Sequence, residues 1–374
     1  MIIGVPKETL AGETRVSQSP ETVGKLVAQG FEVLVEQGAG ELSYLSDDAY
    51  VASGAKIGTT EEVFAADFVT KVNPPSDAEI TRLKAGSGII GFLRPLDDPA
   101  LSQKLADQNV TAYAMELVPR ITRAQKMDAL SAMASLAGYK AVLQSANLLP
   151  RFFPLMTTAA GTVKPAQVLV LGAGVAGLQA LATARRLGAV TNAYDVRAAA
   201  AEEAKSLGAK FIELDLDTSD ASAAGGYAAA LSEDRAERQI QLLGQHIMRH
   251  DVVISTALIP GRKAPLLISE EAVKGMTPGS VIIDLAAPNG GNCALTVPGE
   301  TVVRHGVTIV GDVNTTASMP KDASQLYART VLAAIGELVK DGAFRLDFSD
   351  PVVQGCLVTH DGAVVHERVK GLLA

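Results

Sequence analysis

The sequence predicts an α/β protein built from two successive domains with mostly parallel sheets, joined by long helices. Three observations carry that expectation. Strand-like apolar runs alternate with helical segments through both halves of the chain, the pattern of a parallel sheet covered by helices. At 374 residues the chain is too long for one ordinary core and suits two. Hydrophobic content of 48% with 20% charged residues describes an ordinary packed globular protein.

In the first half, strand patterns over residues 2–5, 32–36, 68–72, 88–93 and 110–114 alternate with helical segments such as 20–29 and 100–108. A long helical stretch, 123–147, carries Met127, Leu130, Met133 and Ala137 at helix spacing and reads as a connector between domains. The second half opens near Pro150, with strand patterns at 168–171, 210–214, 252–256, 280–286 and 308–310. A helix over 324–340 and a short β-like tail follow. If that helix returns to the first domain, the domains are 1–143 plus 320–374, and 144–319.

The most informative stretch is VLVLGAGVAGLQALATARRLGAVTNAYD, residues 168–195. It holds an apolar strand, the three glycines Gly172, Gly174 and Gly177 of GxGxxG, a strong helix former over 178–187, and Gly188 as a stop. Asp195 follows a second short strand, eighteen positions beyond Gly177, near where a carboxylate accepts ribose hydroxyls. The first glycine allows the tight turn, the second lets the backbone approach a pyrophosphate, and the third lets helix and strand pack closely. The helix N-terminus then offers free N–H groups to the phosphates. Strand, glycines, helix and carboxylate together point to a Rossmann-like dinucleotide site. Asp195 favours NAD by repelling a 2′-phosphate, while Arg197, two residues on, is the kind of neighbour that accommodates NADP.

Other chemistries find no support. The net charge of −8 comes with mixed signs and no basic stripe, which argues against nucleic acid. No stretch offers about 18 uncharged apolar residues, and MIIGVPKE reads as strand and turn rather than signal peptide, so a cytosolic chain without a membrane span is expected. Cys293 and Cys356 lack CxxC spacing. His246 and His250 sit four apart, but HIMRH lacks the glutamate of HExxH; a solvated helix face is expected there, and no metal. GxSxG and Walker A patterns are absent. The segment DTSDASAAGGY, 217–227, reads as a connecting loop, or as a lid hinged at Gly225 and Gly226 that Tyr227 closes.

Several longer segments carry a family resemblance. IGVPKETLAGETRVSQSPETVGKLVAQGFEVLVEQGAG, LSDDAYVASGA, AYAMELVPRITRAQKMDALSAMASLAGY, TALIPGRKAP and GSVIIDLAAPNGGN closely resemble the alanine dehydrogenase and transhydrogenase family. The resemblance covers nearly the whole chain. It implies two Rossmann-like domains with the dinucleotide in the cleft, and two candidate chemistries. Alanine dehydrogenases bind pyruvate through an arginine and a lysine, matched here by Arg15 and Lys71, and use a histidine and an aspartate where this chain aligns Arg94 and Pro288. Neither replacement is a general acid or base at neutral pH, which makes reductive amination of pyruvate the second reading.

Direct transfer of hydride between two nicotinamide rings needs no such base, only proximity and orientation. The resemblance therefore implies the NAD(H)-binding component of a proton-translocating transhydrogenase, with RITRAQKMDALS as its signature. In that reading Arg120, Asp128 and Ser131 orient the nicotinamide carboxamide, Gln125 reaches the ribose of NADP(H) on a partner subunit, and Tyr227 belongs to a mobile lid. Arg123 and Lys126 are left outside the catalytic set. Ala173, Val175 and Ala176 join the three glycines at the pyrophosphate, Asp195, Val196 and Arg197 face the adenosine ribose, and Gly226, Gln239, Thr256, Ala257 and Leu258 line the remaining cofactor surface. The cofactor implied is NAD(H). The partners implied are an NADP(H)-binding subunit, a membrane-spanning subunit and a second copy of the chain, at the cytoplasmic face of the inner membrane.

Overall fold

Apolar runs bury themselves on both faces of two sheets. The computed structural model describes residues 1–216, 232–259, 261–340 and 342–373. The chain divides into two compact units, 1–133 with 316–374, and 134–315.

The first unit contains six parallel strands: β1 (Ile2–Val5), β2 (Glu32–Glu36), β3 (Lys56–Gly58), β4 (Phe68–Thr70), β5 (Gly88–Gly91) and β6 (Thr111–Ala114). Their order is β3-β2-β1-β4-β5-β6, so the winding reverses between β1 and β4. Two late strands, Leu357–His360 and Ala363–Val364, extend the β6 edge antiparallel. The tail therefore completes the sheet and then ends in a helix, Glu367–Leu373. Local signals set the helix starts: Ser19 and Thr22 form a reciprocal capping box, with Pro20 at the first position of helix Pro20–Ala28.

In the second unit a separate antiparallel hairpin, β7 (Met156–Thr158) and β8 (Gly161–Val163), precedes the sheet. The sheet comprises β9 (Gln167–Leu171), β10 (Val190–Tyr194), β11 (Lys210–Phe211), β12 (Val252–Ser255), β13 (Val281–Asp284), β14 (Thr301–Arg304) and β15 (Val307–Val310). Its order is β11-β10-β9-β12-β13-β15-β14, and all but β14 run parallel. Val168 to Leu171 are all 0% exposed because the sheet is covered on both faces. Alternation divides them: Val168 and Val170 enter one core, Leu169 and Leu171 the other. Burying each such side chain contributes about 1.5–3 kcal/mol.

Two helix expectations are corrected. The connector does not begin at Arg123: Thr122–Met127 is a 3₁₀ turn and the α-helix is Ala129–Leu148. Asp128 separates them, because its carboxylate accepts the N–H and the hydroxyl of Ser131 and so caps the new helix. The later helix is Pro320–Leu338 rather than 324–340, its start favoured by Pro320 at the first turn. The predicted strand 210–214 shrinks to Lys210–Phe211.

Candidate dinucleotide and hydride-transfer sites

The glycine motif folds as its chemistry demands. Gly172 leaves β9 with φ +95°, and a Cβ there would sit 2.7 Å from Thr256 Oγ1, which donates to the Gly172 carbonyl at 2.9 Å. A Cβ on Gly177 would lie 1.8 Å from the Gly172 oxygen, so helix Val175–Arg186 presses directly on the turn. Gly174 is the opposite case: a Cβ there meets nothing within 4 Å. It N-caps the helix without any side-chain cap, leaving the first-turn N–H groups of Val175, Ala176 and Gly177 as an anion-binding end. A pyrophosphate fits this cradle, which sits where the sheet order reverses between β9 and β12. Helix Ala129–Leu148 supports it from behind, since a Cβ on Gly138 would fall 2.0 Å from the Ala176 oxygen.

Asp195 ends β10 as expected, with its side chain 6% exposed. Its oxygens are already engaged: Oδ1 accepts from the Arg197 N–H and Nε, and Oδ2 from Arg197 Nη2 and the Ala173 N–H, all at 2.8–2.9 Å. These four donors use the acceptor capacity of a carboxylate. Ribose hydroxyls reach Asp195 only by displacing Arg197. The hydrogen bond and charge of Asp195 hold the Arg197 guanidinium above its usual range, so the positive charge that would suit a 2′-phosphate is neutralised within the turn. Val196 packs half-buried on the core below.

At the end of β12, Ala257 is half-buried and Leu258 is 42% exposed. Gln239 lies elsewhere: 4% exposed, it donates to the Tyr194 hydroxyl at 2.8 Å and faces the core rather than a ligand. The side chain missed in the sequence is Asn292. Fully buried, it accepts from Ser255 Oγ and the Ala257 N–H and donates to the Ala257 and Pro265 carbonyls, bracing the loop after β12. Asp284 in turn accepts the N–H groups of Ala286, Asn292 and Cys293 and the Thr296 hydroxyl. Burial pushes its carboxyl above the usual range against those bonds. The signal was present, a carboxylate closing the apolar run VIID and an asparagine after two glycines. Gly226 and Tyr227, with the rest of the proposed lid, lie outside the described residues.

In the first unit the signature segment is ordered by its own side chains. Asp128 and Ser131 are brought together at 2.6–2.8 Å in the helix cap. Arg120 and Gln125 are exposed, while Ala124 and Met127 are buried and anchor the 3₁₀ turn.

Arg15 and Lys71, the pyruvate-binding pair of the second reading, lie deep among carboxylates. Arg15 bonds Glu13 at 2.6–2.8 Å, and the Lys71 ammonium lies 3.0 Å from Glu79 and 3.5 Å from Glu8. Glu8 also accepts the Val72 N–H at 2.6 Å, and Asn73 Nδ2 donates to Glu13 at 2.8 Å. Burial alone would raise all three acids. Bonds from Arg15 and Asn73 nevertheless hold Glu13 at about 2, and Lys71 and Ser76 lower Glu79. Glu8, farther from the ammonium than Glu79, stays raised by burial. Arg94 is exposed with φ +52°, and its N–H donates to Glu116; Pro288 is exposed in the 3₁₀ turn Ala287–Asn289.

The histidine pair does not share a helix face, because helix Glu233–Ile247 ends between them. His250 is 8% exposed, with Nδ1 2.7 Å from the His246 carbonyl. Among the described residues no cluster of His, Cys, Asp and Glu could hold a metal, and no helix is long and apolar enough to cross a membrane.

Comparison with known proteins places this geometry. The family model for the N-terminal domain of alanine dehydrogenase/PNT matches residues 4–137, and the C-terminal domain model matches 141–367. The chain is 48% identical over 381 aligned residues to an NAD(P) transhydrogenase subunit alpha chain of Rhodospirillum rubrum, covering 99% of both. It is 32% identical to the alanine dehydrogenase of Mycobacterium tuberculosis, over 99% of this chain and 96% of that one. The solved structure of transhydrogenase from Sinorhizobium meliloti superposes with a TM-score of 0.86 at 42% identity, covering 98% of this chain and 99% of that one.

Proposed function

We propose, from the premise that the chain belongs to the alanine dehydrogenase/PNT family, that it is the NAD(H)-binding subunit of a proton-translocating transhydrogenase. It passes hydride directly between NADH and NADP⁺, the latter held by a partner subunit. The observation that carries this reading is 48% identity along 99% of both chains to a transhydrogenase alpha subunit, against 32% to an alanine dehydrogenase. Arg94 and Pro288 supply no proton at the positions where reductive amination needs one. Arg15 and Lys71 are already neutralised by Glu13, Glu8 and Glu79.

NAD(H) binds on the glycine cradle of Gly172, Gly174 and Gly177, with Asp195 toward the adenosine ribose. When bound, it supplies the hydride; the residues of this chain hold and orient it. Arg120, Asp128 and Ser131 orient the nicotinamide carboxamide, and Gln125 addresses the ribose of NADP(H). Holding two rings in near-attack geometry is the whole catalytic task, and it can supply several kcal/mol of barrier lowering. Proton translocation belongs to separate membrane-spanning subunits, to which a homodimer of this chain docks as a peripheral component on the cytoplasmic face.

The test mixes the purified chain with NADH, following fluorescence for binding and absorbance for turnover. Bound NADH that survives saturating pyruvate and ammonium, and is oxidised once the NADP(H)-binding subunit and NADP⁺ are added, is the expected result. Steady NADH loss with pyruvate and ammonium alone would make the chain an alanine dehydrogenase.

A further inference from the structure

In a 3₁₀ turn, residues three apart eclipse one another. Ala124 and Met127, 1% and 0% exposed, thus form one face of Thr122–Met127, and the turn packs on helix Pro320–Leu338. Arg123, Gln125 and Lys126 face outward. No side-chain cap holds the start of the turn.

Arg123 is tied down instead. Its Nη2 donates to Asp350 Oδ1, and its Nε lies 3.8 Å from Glu337 Oε2. Asp350 is itself fixed: its side chain is 5% exposed, Oδ2 lies 2.8 Å from Arg345 Nη2, and Oδ1 accepts the Val352 N–H at 2.9 Å. That last bond caps helix Pro351–Cys356. The same short helix meets the root of the signature segment, where a Cβ on Gly355 would sit 2.8 Å from Pro119 Cδ and 3.0 Å from the Leu117 oxygen. The segment leading to Asp128 is therefore gripped twice by one C-terminal element. Gln125 stands two residues past the second grip.

We infer that Arg123, acting through Asp350, is a positioning residue for hydride transfer, fixing the turn from which Gln125 addresses the NADP(H) ribose. The inference rests on the role given to Gln125 above. An ion pair with one exposed partner contributes little stability, and the Arg123 side chain is 43% exposed. Displacing a reacting group by about 1 Å, by contrast, costs up to about a hundredfold in rate. The signature of this pair is kinetic.

The experiment uses the complete transhydrogenase with Arg123→Gln, Asp350→Asn, both together, Arg123→Lys, and Gln125→Asn as reference. Asparagine retains the helix cap at 350. Single-turnover hydride transfer is measured beside NADH affinity by fluorescence and melting temperature. Each single variant is expected to slow transfer about tenfold with NADH affinity within about twofold. The double variant is expected to be no slower than the slower single, since the two act as one unit, and Arg123→Lys to recover some of the rate. Wild-type transfer in Arg123→Gln, with Gln125→Asn slow, overturns the positioning role and leaves the reading of Gln125 intact. A double variant slowed by the product of the singles also overturns it. Wild-type transfer in Gln125→Asn removes both ideas together. If Asp350→Asn fails to fold, Arg123→Gln against Arg123→Lys decides the matter, because the arginine is largely outside the core.

Discussion

Where β9 ends, the chain turns through Gly172, Ala173 and Gly174 and leaves open space beside the helix; where β1 ends, it turns through Pro6, Lys7 and Glu8 and fills that space. Both points are the same place in the same strand order, 3-2-1-4-5-6, where the winding reverses and a crevice opens. In the second unit the crevice offers bare N–H groups to an anion. In the first, the Glu8 carboxylate is the anion, taking the Val72 N–H at the end of β4 and facing the Lys71 ammonium. Topology makes a crevice, and the side chains of the first turn decide whether a ligand or the protein itself occupies it.

The sharpest way to break the contrast is at the glycines. Gly177→Ala puts a methyl group 1.8 Å from a backbone oxygen, so the helix must move off the strand, and NADH affinity is expected to fall more than about a hundredfold with a lowered melting temperature. Gly174→Ala meets no protein atom, so melting should not change while NADH binding weakens about tenfold through contact with the phosphates. Equal effects from the two in fluorescence titration and calorimetry would erase the distinction between packing glycine and cradle glycine.

The filled crevice predicts the reverse phenotype. Lys71→Met leaves Glu8 and Glu79 buried without their counter-charge, and denaturant unfolding is expected to show a loss of about 3–5 kcal/mol. Fluorescence titration should find NADH affinity nearly unchanged, because no residue of the glycine cradle is altered.

Glu116 sharpens the contrast by pH. Burial raises its pKa to about 7 against the N–H bonds from Arg94 and Leu93. A carboxyl raised in the folded state contributes stability that is complete below its ordinary pKa and is lost as pH rises through about 7. The wild type should therefore lose up to about 3 kcal/mol between pH 5 and 8 from this group, and Glu116→Gln should flatten that slope. An unchanged slope in urea unfolding at the two pH values would show that the carboxyl is ionised throughout.

The smallest expected effect concerns Arg197. Removing it in Arg197→Ala frees acceptor sites on Asp195 for ribose hydroxyls, and NADH affinity should rise about two- to threefold. A fall would mean that Arg197 contacts the cofactor itself.

The nucleotide half of the site was legible along the chain because it is local. Gly172, Gly174, Gly177 and Asp195 lie within one βαβ unit, where spacing alone dictates turn, helix and second strand. Even there the order of bonding was not legible: Arg197 closing over Asp195, and Gln239 turned to Tyr194, depend on rotamers rather than spacing. The break at Asp128 could have been read from its spacing to Ser131, but the apolar period of the connector hid it.

The sequence alone therefore determined the α/β class, the glycine cradle and its carboxylate, and, through resemblance, the family. Each of these depends on residues close together in the chain, where backbone sterics and helix geometry leave few alternatives. Only the tertiary structure decided that Asn292 braces the loop after β12, that residues 357–364 extend the β6 edge, that Lys71 is surrounded by carboxylates, and that Asp350 grips Arg123. Those pairings join residues tens to hundreds of positions apart, and long-range partners of that kind are chosen by packing and desolvation, which leave no period or spacing in the sequence to read.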